Sequence, residues 1–416
     1  MQVFLQPTLN DAHLDATQTS TQRQLAIAVG AKTQSAFSTN LPLNLCLILD
    51  RSGSMNGQPL EIVKQAANRL VDRLTPDVDR LSVVVFDHHA KVLIPSQIVA
   101  DPTRIKRQIE RLSAGGGTAI DEGLRLGIEE LAKAKKEAIS QAFVLTDGEN
   151  EHGDNQRCLK FAALAASYNL TLNSLGFGEH WNQDILEQIA DAGGGTLSYI
   201  EFPEQAGEEF NRLFDRISAV GLTNAYLLFS LMPKVRLAEL KPIAQVAPDT
   251  IELPVQQESD GRFAVRLGDL MQDIQRVVLA NVYIGQLPEG QHAIAQLQVR
   301  YDDPTTNQTR LSATIPVSVN ATRNYKPAID SQVQNYILAL AKYRQTQLAE
   351  TKLQQGDRAG AATLLQTAAK TALQMGDKGA ATVLQTSATR LQAGEELSEG
   401  DRKKTRIVSK TILQDS

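Results

Sequence analysis

The stretch Asn44-Leu-Cys-Leu-Ile-Leu-Asp50-Arg-Ser52-Gly-Ser54 decides the fold. Its short apolar run is what a parallel strand buried on both faces requires, and it ends on a carboxylate followed by a Gly/Ser turn. Next, Pro59 to Leu74 sets Ile62, Val63, Ala66, Ala67, Leu70, Val71 and Leu74 at helical spacing, with Pro59 suited to the first turn. Two more runs of the same character follow, Arg80–Asp87 and Gln141–Asp147. Helices are expected at Pro102–Leu112 and Ala119–Ala134, joined through the glycine-rich loop Gly115-Gly-Gly-Thr118. Beyond Asp147 the alternation continues with a helix at Gln156–Tyr168, a strand at Thr171–Phe177, a helix at Asn182–Ala192, a strand at Thr196–Glu201 and a helix at Pro203–Val220. Strands alternating with helices predict a doubly wound, Rossmann-like α/β domain over residues 41–220.

On its N-terminal side, residues 1–40 read as two short strands, Val3–Pro7 and Gln24–Val29, around a loop too polar for a core. On its C-terminal side the helices stop. Seven short strands, Ala225–Leu231, Val235–Leu240, Thr250–Pro254, Gly261–Leu267, Gln275–Ile284, His292–Tyr301 and Ser312–Val319, predict an antiparallel β-sandwich over 221–322. The two N-terminal strands would complete it, which makes the α/β domain an insertion. The alternative is an N-terminal arm, with the α/β domain simply joined to the sandwich.

Residues 326–394 turn rich in Ala, Gln and Leu, with an imperfect repeat beginning at Gly356-Asp and again at Gly376-Asp. Glycine suits a helix C-cap and aspartate an N-cap, so three antiparallel helices are expected near 328–355, 358–374 and 378–392. Residues 395–416 read as a basic, flexible tail.

The chain has 416 residues, a formal net charge of -5 and 42% hydrophobic residues, the composition of a folded protein, with a length that allows two or three domains. The mild acidity argues against a nucleic-acid partner. No run is apolar and long enough for a membrane span, and no signal-peptide, myristoylation or prenylation pattern is present. The only cysteines, Cys46 and Cys158, rule out a disulfide scaffold and are expected to be inert packing residues in a reduced, cytoplasmic setting.

Asp50, Ser52 and Ser54 stand at alternate positions of a tight loop, at the carboxyl end of a strand where doubly wound sheets bind ligands. Thr118 follows the triple glycine, and Asp147 ends the third strong strand. Two carboxylates and three hydroxyls, without sulfur or imidazole, suit a hard divalent cation: Mg²⁺ first, with Ca²⁺ or Mn²⁺ as alternatives. Mg²⁺ keeps several waters, so some of the five groups would act through water and leave a position open. The plain alternative is a capped turn, since Asp and Ser are frequent turn residues.

This set resembles the von Willebrand factor A (VWA) domain family over roughly Leu41–Val220. Asp50-x-Ser52-x-Ser54, Thr118 and Asp147 match the family's metal-ion-dependent adhesion site (MIDAS) residue by residue. The resemblance implies that an acidic residue of a protein partner completes the metal's coordination. The arrangement with a β-sandwich also looks like the integrin β subunit and bacterial relatives. Met55-Asn-Gly-Gln58 departs from the acidic stretch that a flanking second metal would need.

Asp87, His88, His89, Glu149, Glu151, His152 and Asp154 are polar loop groups near the same face and read as solvated loops. Thr405, within Lys403-Lys-Thr405-Arg, is a candidate phosphorylation site for a phosphothreonine reader. The expected function is a metal-dependent protein-protein interaction module, an adhesion, assembly or signalling platform that is not an enzyme. The alternatives are an accessory subunit of a chaperone-like ATPase and, with no recognisable general base, a metal-assisted hydrolase.

Overall fold

The computed structural model describes residues 2–32, 41–135, 138–147, 150–177, 183–200, 206–272, 274–306 and 308–410. The chain begins with β1 (Gln2–Leu9), β2 (His13–Asp15) and β3 (Ser20–Lys32). The alternating region holds β4 (Leu43–Asp50), α1 (Gln58–Arg73), β5 (Arg80–Phe86), β6 (Ala90–Ile98), α2 (Pro102–Glu110), α3 (Ile120–Ala132), β7 (Ile139–Thr146), α4 (Asn155–Ser167), β8 (Thr171–Phe177), α5 (Gln183–Gly193), β9 (Gly194–Ile200) and α6 (Ala206–Ser218). Then come β10 (Val220–Leu231), β11 (Val235–Leu237), β12 (Ile243–Ala247), β13 (Ile251–Glu252), β14 (Val255–Gln257), β15 (Phe263–Met271), β16 (Arg276–Gly285), β17 (Gly290–Asp303), β18 (Gln308–Leu311) and β19 (Ile315–Thr322). Among the described residues four helices follow: α7 (Ser331–Gln354), α8 (Arg358–Gln374), α9 (Lys378–Gln392) and α10 (Glu399–Lys410).

The α/β region forms one sheet of order β6-β5-β4-β7-β8-β9, parallel except for the antiparallel edge strand β6. Alternation along β4 explains its two buried faces. Leu45, Leu47 and Leu49 enter a core with α1 and α6, while Cys46 and Ile48 enter a second core with α3, α4 and α5. Helix α3 lies close on the sheet because it presents glycines there: a Cβ on Gly127 would stand 2.4 Å from Ile48 Cδ1, and one on Gly123 2.8 Å from Phe86 Cδ1. Both neighbours are fully buried and have nowhere to go. Gly127→Leu is therefore expected to cost about 1–3 kcal/mol in denaturant unfolding. An unchanged midpoint would show that α3 can retreat freely.

Residues 2–32 and 220–322 build two further sheets together. One has the order β1-β3-β16-β12-β13, with β11 also on β16; the other is β14-β15-β10-β17-β19-β2, with β18 also on β17. Ile27, Val29, Val278 and Ala280 from the first share a single apolar core with Leu227, Phe229, Leu297 and Val299 from the second. The α/β domain thus follows β3 of the first sheet and leads into β10 of the second, inserted between strands of this two-sheet layer. The loop read as too polar for a core contains β2, and Leu14 there is buried. One apolar side chain suffices because β2 only caps the edge of β19.

The inserted domain is fastened to this layer at the amino ends of β7 and β8. The buried Asp269 carboxylate accepts hydrogen bonds from Gln141 Nε2 at 2.7 Å and Thr171 Oγ1 at 2.8 Å. Arg276, also buried, donates Nε and Nη2 to the Asp269 carbonyl at 3.2 and 3.1 Å and Nη1 to Gln245 Oε1 at 2.6 Å. Burial raises the Asp269 pKa, and it pushes that of Arg276 down to about 10.

Helix α7 lays Val333, Leu340 and Tyr343 on the outer face of the first sheet, against Ala26, Val246 and Leu279. The Gly-Asp pairs work as caps. Gly356 and Gly376 take φ of +81° and +79°, and Asp357 and Asp377 accept from Gly360 N at 2.8 Å and Ala380 N at 2.9 Å. The expectation of a flexible tail over 395–416 is corrected for residues 399–410, which form α10 and pack on α5, α7 and α9. Thr411 and the residues after it lie outside the described residues.

Candidate metal centre

Strand order reverses at β4, whose neighbours are β5 and β7, so the crevice of this sheet opens at the carboxyl ends of β4 and β7. Asp50 is the last residue of β4, and Asp147 follows the last residue of β7. After Asp50 the chain makes one 3-10 turn, Gly53–Met55, anchored by the fully buried Met55. The glycine loop is clipped to this turn, with Gly53 N donating to Gly116 O at 2.9 Å and Gly115 N to Arg51 O at 2.8 Å. Gly116 needs its φ of +88° for that approach, and a Cβ there would meet His88 Nδ1 at 2.6 Å.

The side chains form a connected set. Asp50 is fully buried; its Oδ1 accepts from Ser52 N at 2.7 Å and its Oδ2 from the Thr146 hydroxyl. Ser52 Oγ and Ser54 Oγ stand 3.0 Å apart, and Ser54 Oγ donates to Asp147 Oδ1 at 2.9 Å. Ser52 is buried and Ser54 exposed, so the set runs from core to surface. Thr118 enters through the clipped loop and is buried; its carbonyl accepts from His152 N at 2.9 Å. Burial pushes the Asp50 carboxyl up to about 6, and the negative charge of Asp147 adds to this; the bonds from Thr146 and Ser52 act in the other direction.

The donor set fits a hard divalent cation. All its side-chain donors are oxygens, and the groups bonded to buried Asp50, Ser52 and Thr146, are neutral, so a cation would compensate its charge in the core. Among the described residues no group of three or more His, Cys, Asp or Glu is placed to hold an ion. A cation here would therefore rely on two carboxylates and on hydroxyls.

The other polar groups have different tasks. Asp87 pairs with Arg51 and accepts from His89 N at 2.8 Å, which secures the β5 end of the crevice. Asp154 caps α4, accepting from Gln156 N at 2.7 Å. His88, His89, Glu151 and His152 are exposed, and Glu149 lies outside the described residues. Burial pushes the thiols of Cys46 and Cys158 up to about 12, which leaves both unreactive. The expectation of an accessible phosphorylation site at Thr405 in a mobile tail is corrected: in this structure Thr405 is buried within α10, its Oγ1 3.0 Å from Ser387 Oγ. Two participants went unread. Thr146 looks like any β-branched strand residue, yet it bonds Asp50; Asn150 caps α3 by accepting from Ile120 N at 2.7 Å.

Comparison with known proteins agrees with the α/β fold and with the helical C-terminal region. Residues 44–211 match the model of the von Willebrand factor type A domain. Residues 331–415 match a model described as Sll0103-like, C-terminal alpha-helical domain. The protein sll0103 of Synechocystis sp., described as uncharacterized, is 60% identical over 415 residues, covering 100% of this chain and 98% of the relative. A solved structure described as von Willebrand factor type A from Catenulispora acidiphila has the same fold, with TM-score 0.82 at 18% identity over 99% of this chain and 97% of the other. The ArnB paralog VWA2 from Sulfolobus acidocaldarius is similar at TM-score 0.61 and 16% identity, covering 99% and 98% of the two chains.

Proposed function

The chain belongs to the family of the Synechocystis protein sll0103 and carries a von Willebrand factor type A domain, and on that premise we propose that it is a metal-dependent protein-binding module. Domains of this type mediate protein-protein interactions. The observation that carries the metal reading is the connected oxygen set Asp50, Ser52, Ser54 and Asp147, with Thr118 clipped beside it, at the switch point of the sheet.

In this reading the five residues hold Mg²⁺ directly or through water, with Ca²⁺ or Mn²⁺ as substitutes. The bound cation supplies an electrophilic position for a carboxylate oxygen of a partner's Asp or Glu. Asp50 provides fixed charge from the core, Ser54 and Asp147 stand at the open rim, and the Arg51–Asp87 pair holds the neighbouring loop still. The two-sheet layer is read as a β-sandwich that carries the module, and the protein as a cytoplasmic platform rather than an enzyme. No described helix is long and apolar enough to cross a membrane.

Calorimetric titration of Mg²⁺, Ca²⁺ and Mn²⁺, followed by a glutamate-containing peptide and its glutamine analogue, tests the reading. Metal uptake and metal-dependent binding of the glutamate peptide alone are expected. Binding of both peptides alike, or of neither metal nor peptide, would sink it. A pH series adds a second check. The metal-free Asp50 carboxyl titrates near 6, above its ordinary value, so below that pH a cation must displace a proton. Mg²⁺ affinity is expected to fall as pH drops from about 7 to about 5, with proton release appearing over the same interval. Affinity independent of pH across it would show that Asp50 does not bind the ion.

A further inference from the structure

The polar helix α10 joins three parts of the molecule. Arg406, largely buried, pairs with Asp184 on α5, with Glu187 on α5 at 2.5 Å and with Glu350 on α7 at 3.3 Å. Lys410, one turn on, pairs with the same Glu187 and with Asp191 at 3.1 Å. Positions 184, 187 and 191 form one stripe of α5, and 406 and 410 form one stripe of α10, so the two helices meet along an ionic seam. On its other side, Val408 O accepts from Nζ of fully buried Lys342 on α7 at 2.8 Å, and Thr405 meets Ser387 on α9. Lys410 O accepts from Thr250 N of the β layer at 3.0 Å.

This seam reaches the metal edge. β8 runs parallel to β7 with Gly176 abreast of Thr146, so β8 ends at the same edge as Asp50 and Asp147. Helix α5 starts from that edge, and Asp184, gripped by Arg406, is in its first turn. Ion pairs join α10 to α5, whereas Ile185, Leu186 and Ile189 pack α5 into the core of its own domain. A cavity of about 270 Å³ lies between α10 and the helices beside it, lined by Thr346, Ala349, Leu353, Leu365, Leu397 and Arg402. A helix of 12 residues does not stand alone in water, so α10 detached from the seam would melt.

We propose that α10 is a releasable ionic latch that holds α5 against the helical bundle, and that its engagement is coupled to occupation of the metal edge. The coupling rests on the metal reading above; the latch does not. Burial works against the charge on Arg406 and Lys410, but the facing carboxylates outweigh it and raise both pKa values, while burial also pushes the Asp191 and Glu350 carboxyls up.

The test is amide hydrogen exchange on the full chain, in the wild type with and without Mg²⁺ and in the double variant Arg406→Glu/Lys410→Glu. In the double variant, α10 and the first turn of α5 are expected to exchange at least about tenfold faster, with α8, α9 and β4 unchanged. Adding Asp191→Lys to Lys410→Glu is expected to recover most of the protection which that single change loses. In the wild type, saturating Mg²⁺ is expected to alter α10 exchange by about threefold or more. Unchanged α10 exchange in the double variant overturns the latch, and so does uniform loss across all helices, which would make α10 ordinary core. If calorimetry shows Mg²⁺ bound and α10 does not respond, the coupling is overturned. If calorimetry shows no Mg²⁺ bound at about 10 mM, above ordinary affinities for such ions, the metal reading and the coupling fail together. The charge-reversal exchange then decides the latch alone.

Discussion

Asp50→Asn is expected to lower Mg²⁺ affinity by at least about 100-fold while leaving the metal-free protein as stable as the wild type or more so near pH 8. The first effect follows from charge. Only Asp50 and Asp147 bring formal negative charge to the oxygen set, and losing one exceeds the 10–100-fold typical of outer-shell changes. The second follows from burial. A carboxyl raised to about 6 against an ordinary value of 3.8 is destabilising once ionised, by about 3 kcal/mol at most. The folded protein takes up this proton more readily than the unfolded one, so the metal-free wild type loses that increment as pH climbs from about 4 to above about 6. Asparagine keeps an acceptor for Ser52 N and offers its amide to the Thr146 oxygen without the charge. Calorimetry and thermal unfolding at pH 8 and pH 4.5 check both effects. A variant that binds Mg²⁺ like the wild type would remove the ion from Asp50, and one that melts far lower at pH 8 would make the carboxylate a structural bond.

The second large effect is expected opposite the metal edge. Asp269→Ala leaves Gln141 Nε2 and Thr171 Oγ1 without their shared acceptor and takes the nearby negative charge from buried Arg276. Two orphaned buried donors and a less compensated guanidinium together cost about 3–5 kcal/mol. Asp269→Asn keeps an acceptor oxygen for the two donors and loses only the charge beside Arg276, so it should cost less than the alanine variant. Because the junction fastens the inserted domain to the β layer, differential scanning calorimetry should resolve the alanine variant into two transitions. One transition at an unchanged temperature would show that the domains are held elsewhere.

The elements that frame the crevice were legible because they are central. β4, β5 and β7 are apolar on both faces, and the Gly-Asp caps of α8 and α9 mark their own ends. What escaped lies at edges or in short strands. β6 carries Pro95, which an edge strand tolerates, and β12, β14 and β18 are too short to show a period. Helix α10 escaped for another reason. Its basic residues resemble a solvated tail until α5, over 200 positions earlier, supplies the carboxylates. The metal-binding candidates could be read as a motif, but the Thr146 bond to Asp50 could not, since nothing about a threonine in a strand says where its hydroxyl points.

The insertion between β3 and β10 has a consequence for biogenesis. During synthesis β3 emerges early, but its partner β16 lies about 250 positions later, Ala28 opposite Val277. Until then β3 and β1 form at most a hairpin with one apolar face and one edge uncovered. The α/β domain, whose own strands are all in hand much sooner, folds in that interval and brings the two ends of its sequence together, shortening the loop that β3 and β16 must close. Maturation of the β layer therefore waits on the domain it encloses. A lesion that slows folding around β4 would first be seen as nascent chains aggregating through their amino-terminal hairpin.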